Sequence, residues 1–188
     1  MFGRRVQVLA SLIARMLPER VRVLDVGCGS GDLAKALLAL KPGLTIEGVD
    51  VLVRPGTAIL VRQFDGNHLP FGDRAFDCAL LVDVLHHTDD PAALLREVSR
   101  VASHIIIKDH YRNGLVAEAR LRFMDWVGNA PHGVRLPYNY LSRAEWNEIW
   151  RVGQLALEAE VEDLSLYPRP ADWVFGRGLH FVASLRTS

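Results

Sequence analysis

Val23-Leu24-Asp25-Val26-Gly27-Cys28-Gly29-Ser30-Gly31-Asp32 runs from an apolar strand into a glycine-rich turn, and Leu33, Ala36, Leu37 and Leu40 carry on at helical spacing. Val21 to Val26 reads as a buried strand bounded by glycine, the opening of a βα nucleotide-binding unit. Gly27 and Gly29 let the backbone turn sharply and let a ligand come closer than any Cβ would permit. The free N–H groups at the start of the following helix can then hold an anionic group. A dinucleotide fingerprint is spaced G-x-G-x-x-G, and a phosphate-binding loop ends in Gly-Lys-Ser/Thr. Here the spacing is G-x-G-x-G, with Asp25 two residues before the first glycine and no lysine in the turn.

Around this unit the segments alternate strand and helix, which favours a parallel sheet covered on both faces. A first helix spans about Val6 to Leu17 and is stopped by Pro18; the helix after the glycine turn covers about Asp32 to Leu40 and ends at Pro42-Gly43. Further strands are expected at Thr45 to Asp50, Ala58 to Phe64, Phe76 to Val82 and His104 to Lys108. Asp90 suits an N-cap and Pro91 the first turn of a helix burying Ala92, Leu94, Leu95, Val98 and Val101. Beyond the fifth strand, Leu115 to Val127 reads as a helix and Asn129 to Leu141 as an ordered loop. Ser142-Arg143-Ala144-Glu145 is a capping box opening a helix through Trp146 and Trp150. Two closing strands, Ala156 to Leu166 and Leu179 to Leu185, flank a loop with Pro168 and Pro170. The absence of repeats or linkers predicts one domain over residues 1–188.

The 22 basic and 22 acidic residues cancel, so the basic footprint of a dedicated nucleic-acid binder is missing. Two cysteines, Cys28 and Cys78, provide neither a disulfide framework nor metal-ligand spacing, and both read as reduced packing residues. Arg4 and Arg5 precede an apolar stretch, but Gln7 and Arg15 interrupt it and its apolar positions are helical. With no run of transmembrane length, a cytoplasmic location is expected and no membrane partner.

The glycine turn resembles motif I of the class I S-adenosylmethionine-dependent methyltransferases, whose loop receives an amino acid and a ribose. Three later segments strengthen the resemblance in the expected order. Glu47-Gly48-Val49-Asp50 ends a strand with a carboxylate suited to both ribose hydroxyls. Phe64-Asp65-Gly66-Asn67 places another where an adenine amino group can donate. Finally, Phe76 to Val82 leads into Asp83-Val84-Leu85-His86-His87-Thr88-Asp89-Asp90-Pro91. The resemblance implies an α/β, Rossmann-like doubly wound fold: a mostly parallel seven-stranded sheet with an antiparallel last strand and helices on both faces. It implies S-adenosylmethionine as cofactor, contacted by Asp25, Gly27, Cys28, Gly29, Gly31, Asp50, Val51, Asp65, Gly66, Val82 and Asp83. One departure is visible: only Val51 to Thr57 separate Asp50 from Ala58, too few for the helix usual between the second and third strands.

Methyl transfer from a sulfonium is an in-line displacement in which the protein chiefly aligns the acceptor and removes water. A base is needed only if the acceptor loses a proton. Ligands bind beyond the carboxyl ends of the strands, so His86, His87, Asp109, His110 and Tyr111 are expected near a small-molecule acceptor. His110 is the first catalytic candidate and His87 the second, although hydrogen bonding that fixes the turn is the competing role for His86 and His87. The polar, aromatic segment from residue 110 to 145 reads as a helix and an acceptor-binding lid carrying His132, Tyr138, Asn139 and Tyr140; a surface connection is the alternative. No metal is expected, because the His86/His87/Asp89/Asp90 cluster lacks ligand spacing. A homodimer is left open. Competing functions are a non-catalytic cofactor-binding scaffold, a nicotinamide oxidoreductase, which the glycine spacing disfavours, and an RNA methyltransferase. The last would need a basic face, and Val82-Asp83-Val84-Leu85 stands where an Asn-Pro-Pro-Tyr type of motif would act on base amino groups.

Overall fold

The computed structural model describes residues 2–114, 117–129, 139–169, 171–176 and 178–187. Its elements in order are α1 (Phe2–Met16), β1 (Arg22–Val26), α2 (Asp32–Leu40), β2 (Thr45–Asp50), β3 (Val61–Gln63), β4 (Phe76–Val82), α3 (Pro91–Val101), β5 (Ala102–His110), α4 (Ala117–Asn129), α5 (Arg143–Val152), β6 (Leu155–Glu162), α6 (Ala171–Phe175) and β7 (His180–Thr187), with a 3₁₀ turn at Leu85–His87. The strands form one seven-stranded sheet in the order β3-β2-β1-β4-β5-β7-β6. β7 alone runs antiparallel to its neighbours, β5 and β6, and the β6 pairing is interrupted by a register shift between Leu157 and Ala159. The chain order reverses between β1 and β4, so the carboxyl ends of these strands frame the crevice where doubly wound sheets bind ligands.

Alternation along the central strands sends apolar side chains to both faces. Val23, Cys78, Leu80 and Ile106 pack under Leu9 and Ile13 of α1, Leu17 just after it, and Ala34 and Leu37 of α2. Leu24, Ala79, Leu81, Ile105 and Ile107 pack under Leu94, Leu95 and Val98 of α3 and Trp146 and Trp150 of α5. Asp90 caps α3 by accepting the Ala93 amide at 2.9 Å, and the Ser142/Glu145 capping box on α5 is complete. No helix lies within residues 51–60, and Val51, Leu52, Val53 and Leu60 are exposed there. Among the described residues, no helix is long and apolar enough to cross a membrane.

Four expectations need correction. The third strand is only Val61–Gln63, because the segment before it turns through Pro55-Gly56 and its Ala58 amide donates to the Ser30 carbonyl of the glycine turn at 2.8 Å, with bonding to β2 beginning at the Leu60 carbonyl, which accepts the Gly48 amide at 2.9 Å. β5 extends through His110, since β7 pairs with it as far as His110 opposite His180; Asp109 and His110 are thus strand residues, not loop residues. The first closing strand ends at Glu162 rather than Leu166, and Leu164 and Leu166 instead pack against the α1 side of the core. The loop that includes Pro168 also contains the short helix α6.

Loss of side-chain volume and loss of a cap should separate cleanly in urea denaturation. Leu80→Ala, at a fully buried position of β4, should cost about 2–5 kcal/mol, whereas Asp90→Ala should cost about 1 kcal/mol.

Candidate functional site

The glycine turn is fastened to β2. The Gly27 and Cys28 amides both donate to the Val49 carbonyl, at 2.8 and 3.2 Å, and the Gly29 amide donates to Asp50 Oδ2 at 2.8 Å. Gly27, Gly29 and Gly31 all have positive φ (69°, 58° and 77°). A Cβ at Gly27 would meet Val84 Cγ2 at 2.5 Å, and one at Gly31 would meet Ile59 Cγ1 at 2.8 Å, whereas at Gly29 the space is open. The outer two glycines therefore serve packing and Gly29 leaves a cradle that a side chain would fill. Gly31 stands at the N-cap of α2 and offers its first amides no side-chain acceptor.

Asp50 accepts from the Gly29 and Leu52 amides, through Oδ2 and Oδ1 respectively, leaving lone pairs on both oxygens of a half-buried carboxylate. Asp25 is buried behind the turn; burial, and then the charge of Asp50, push its pKa up to about 7. Burial likewise lifts the Cys28 thiol to about 12, so it is no nucleophile. Asp65 is exposed and committed to its own turn, accepting the Asn67 and His68 amides at 2.7 and 2.6 Å; the His68 amide contributes most to holding its carboxyl near 2. Gly66, at φ 88°, stands 3.4 Å from Val51 measured from a notional Cβ. Val51 itself is exposed and Val82 half-buried.

Beyond β4 and β5 lies a polar cluster that the sequence only partly disclosed. Asp83, at φ 58°, holds ion pairs to Arg5 of α1 and Lys108 of β5. Burial opposes its ionisation, yet these two cations outweigh it and keep its carboxyl below the usual range. Lys108 is fully buried and also lies 3.2 Å from His180 Nδ1, while His180 Nε2 donates to the Phe175 carbonyl at 2.8 Å. Burial and then Lys108 depress both His110 and His180 well below the ordinary imidazole value, so both rings are neutral at physiological pH. Asp109 Oδ1 accepts from His86 Nδ1 at 2.7 Å, from the His110 amide at 2.9 Å and contacts His110 Nδ1 at 3.1 Å. Trp146 Nε1 of α5 donates to the His110 carbonyl at 3.1 Å and fixes that end of the strand.

His86, Asp109 and His110 are thus brought together, with the half-buried His87 ring 4.0 Å from that of His86. Asn139 braces the same turn: its amide donates to the His86 carbonyl at 3.1 Å and its side chain to the Thr88 carbonyl at 2.8 Å. Tyr140 is buried with its ring stacked at 5.5 Å on His86. Tyr111 does not join them. It is fully buried on Phe181, its hydroxyl donates to Glu160 and Arg143 covers its ring, because the residue after β5 turns back into the core. His132 and Tyr138 lie outside the described residues. Sequence reasoning missed Arg5, Lys108 and His180; the one available signal was the charged pair Lys108-Asp109 closing the apolar run Ile105-Ile106-Ile107.

The raised pKa of Asp25 has a defined effect on stability. Between its unfolded value of 3.8 and its folded value of about 7, the folded chain holds a proton that the unfolded chain has lost. Its stabilising contribution is complete below pH 4 and disappears as pH rises through about 7. Asp25→Asn should flatten this decline and raise stability at pH 8 by a few kcal/mol, measured by denaturation across pH; an unchanged slope would rule out the assignment.

A family model described as a methyltransferase domain matches residues 1–160. A tRNA U34 carboxymethyltransferase of Nautilia profundicola is 23% identical over 181 residues, covering 86% of this chain and 57% of its own length. A demethylmenaquinone methyltransferase of Roseiflexus is 36% identical over 95 residues, covering 45% of this chain and 40% of its own. The chain therefore spans about half the length of these curated relatives. The Burkholderia thailandensis 1,6-didemethyltoxoflavin-N1-methyltransferase, solved with 1,6-didemethyltoxoflavin and S-adenosylhomocysteine, shares the fold: TM-score 0.67 at 20% identity, over 98% of this chain and 78% of that one. With 160 residues matched and the strand order, glycine turn and crevice all in place, the chain belongs to the methyltransferase-domain family.

Proposed function

We propose that this protein transfers a methyl group from S-adenosylmethionine to a small-molecule acceptor. The observation that carries the proposal is the junction of the glycine turn with β2, where the open cradle at Gly29, the Asp50 carboxylate and the buried Asp25 meet. These residues fit the cofactor. Asp50 has lone pairs for two ribose hydroxyls, and Asp25, held near pH 7, can compensate a cationic amino acid by releasing its proton. Gly27, Cys28 and Gly31 supply the backbone wall, Val51, Gly66 and Asp65 the adenosine side, and Val82 and Asp83 the floor toward the acceptor. When bound, S-adenosylmethionine supplies an electrophilic methyl on a sulfonium sulfur.

The acceptor side is formed by the ends of β4 and β5, one and two strands from the glycine turn. At about 4.8 Å per strand, the cluster lies roughly 10 Å from the turn, room for a donor and an acceptor in one chamber. His110 acts on the acceptor there, with His87 and Asp109 beside it and Asn139 and Tyr140 of the 110–145 segment bracing His86. His132 and Tyr138 belong to the same segment and are assigned to the same lid. The balanced charge of the chain supports a small acceptor over a polyanion, and its two free thiols support a cytoplasmic setting.

Calorimetry and turnover assays test the two halves separately. Asp50→Ala should weaken S-adenosylmethionine binding by more than about 1 kcal/mol; unchanged affinity would remove the ribose assignment. His110→Ala should leave that affinity intact and slow turnover about a hundredfold or more across an acceptor panel. Cofactor binding without any methylated product would mark the chain as a scaffold.

A further inference from the structure

The acceptor-side cluster has the composition of a metal centre. Two imidazoles and one carboxylate, from His86, His110 and Asp109, offer donor atoms that all lie within 4.8 Å of one another, and all three side chains are more than nine-tenths buried. They sit on rigid supports: His86 in the 3₁₀ turn after β4, and Asp109 and His110 in the last two positions of β5, held there by β7 and by Trp146. Side chains of consecutive strand residues normally diverge, but the Asp109 carboxylate folds back to accept the amide of His110, which brings Oδ1 to 3.1 Å from that ring.

Two further observations point to a ligand. The first is that Asp109 Oδ2 is buried and has no hydrogen-bond partner among the described residues, while Oδ1 serves three donor contacts. Leaving a buried carboxylate oxygen this way is unfavourable, and a cation that also reaches Oδ2 would recover the loss. The second is spacing. Ligand atoms about 2.1 Å from an ion and at right angles to one another lie roughly 3 Å apart. The His86 Nδ1 to Oδ1 and His110 Nδ1 to Oδ1 separations are 2.7 and 3.1 Å, and the three donors together lie within 4.8 Å, so an ion that replaces the shared protons also draws the two rings toward each other.

We propose that His86, Asp109 and His110 bind one divalent first-row transition-metal ion, on which an acidic hydroxyl of the methyl acceptor docks as its oxyanion. Two nitrogen donors among three favour Zn²⁺, Co²⁺, Fe²⁺ or Mn²⁺ over Mg²⁺ or Ca²⁺, and a two-histidine, one-carboxylate set leaves positions open for a substrate oxygen. Local charge gives the same preference. Arg5 and Lys108 are opposed by Asp83 and Asp109, so an added dication leaves the buried region with an excess of positive charge. An anionic oxygen is the ligand that relieves it. The ion would lower the hydroxyl's pKa and let its proton leave to solvent, with His110 acting as a ligand. This deepens the acceptor-side assignment above and rests on it for the substrate, but metal binding itself does not require the cofactor.

The test uses the full chain, stripped with a chelator and titrated with ZnCl₂, CoCl₂ and MgCl₂ by calorimetry, with S-adenosylmethionine affinity measured on the same samples. The expected result is one Zn²⁺ or Co²⁺ per chain, no competition from Mg²⁺, and at least about tenfold weaker binding in Asp109→Asn and in His110→Gln. Should either variant fail to fold, the wild-type Co²⁺ absorption spectrum decides: ligand-field bands of a nitrogen- and oxygen-coordinated ion support the site, and the spectrum of the aqua ion overturns it. No saturable Zn²⁺ or Co²⁺ binding, or undiminished affinity in both variants, also overturns it. Cofactor binding by the wild type, with or without metal, leaves the methyltransferase reading standing whatever the metal titration gives; failure to bind the cofactor in both states would overturn that reading, while metal binding would still support the site.

Discussion

The carboxylate of Asp83 is the point on which the crevice depends. It terminates β4 in a left-handed conformation and lies between the guanidinium of Arg5 and the ammonium of Lys108. Lys108 is fully buried, and a buried ammonium is tolerable only with a partner. Removing one member of such a group leaves an uncompensated charge worth about 3–5 kcal/mol. The ion group also joins three elements remote in sequence: the start of the chain, the end of β4 and the end of β5. In doing so it sets the position of the 3₁₀ turn that follows Asp83, and therefore of His86. Burial, and after it the charge of Lys108, holds the pKa of both His110 and His180 well below the ordinary imidazole value. One pairing thus ties the docking of α1 to the turn after β4 and holds the charge of Lys108 beside the buried imidazoles.

What could be read from the sequence was whatever is written locally. Val23 to Gly31 announces strand and turn by apolar run and glycine spacing, and Asp90-Pro91 and Ser142 to Glu145 announce helix starts through bonds spanning three residues. The position of Asp50 was legible because it depends only on lying at the end of a strand beside the glycine turn. The acceptor side resisted because its contacts are distant in sequence. Arg5 meets Asp83 across 78 residues, and Lys108 meets His180 across 72. Tyr111 looked like a pocket residue from its neighbours Asp109 and His110, yet its environment is set by Phe181, Arg143 and Glu160. The length of β5 was similarly fixed by β7, its partner 70 residues downstream, rather than by its own pattern.

The two sides of the crevice differ in how they are built. At the glycine turn the polar groups are mostly backbone amides around open glycine space, with Asp50 and Asp25 as the charged members. On the acceptor side they are side chains arrayed in contact with one another: imidazole rings of His86, His110 and His180 follow at centroid separations of 4.8 and 4.7 Å. Backbone geometry recurs wherever the same fold recurs, which is why the glycine turn identifies the donor. Side-chain clusters can be exchanged without disturbing the sheet, so it is there that a chain of this family acquires its own acceptor.

The register shift in β6 bears on how the molecule meets its neighbours in solution. An open sheet has two outer edges, each a row of backbone donors and acceptors available to another chain. Here one edge, β3, is three residues long with exposed Arg62 and Gln63, which gives an incoming strand almost nothing to zip onto. The opposite edge, β6, is longer, but it is broken between Leu157 and Ala159 and carries Glu158, Glu160 and Glu162. Two such edges would set identical acids against each other or lose register after a few residues. The fold therefore guards itself against edge-to-edge aggregation, and any self-association has to use helix or loop surfaces rather than a continuous sheet.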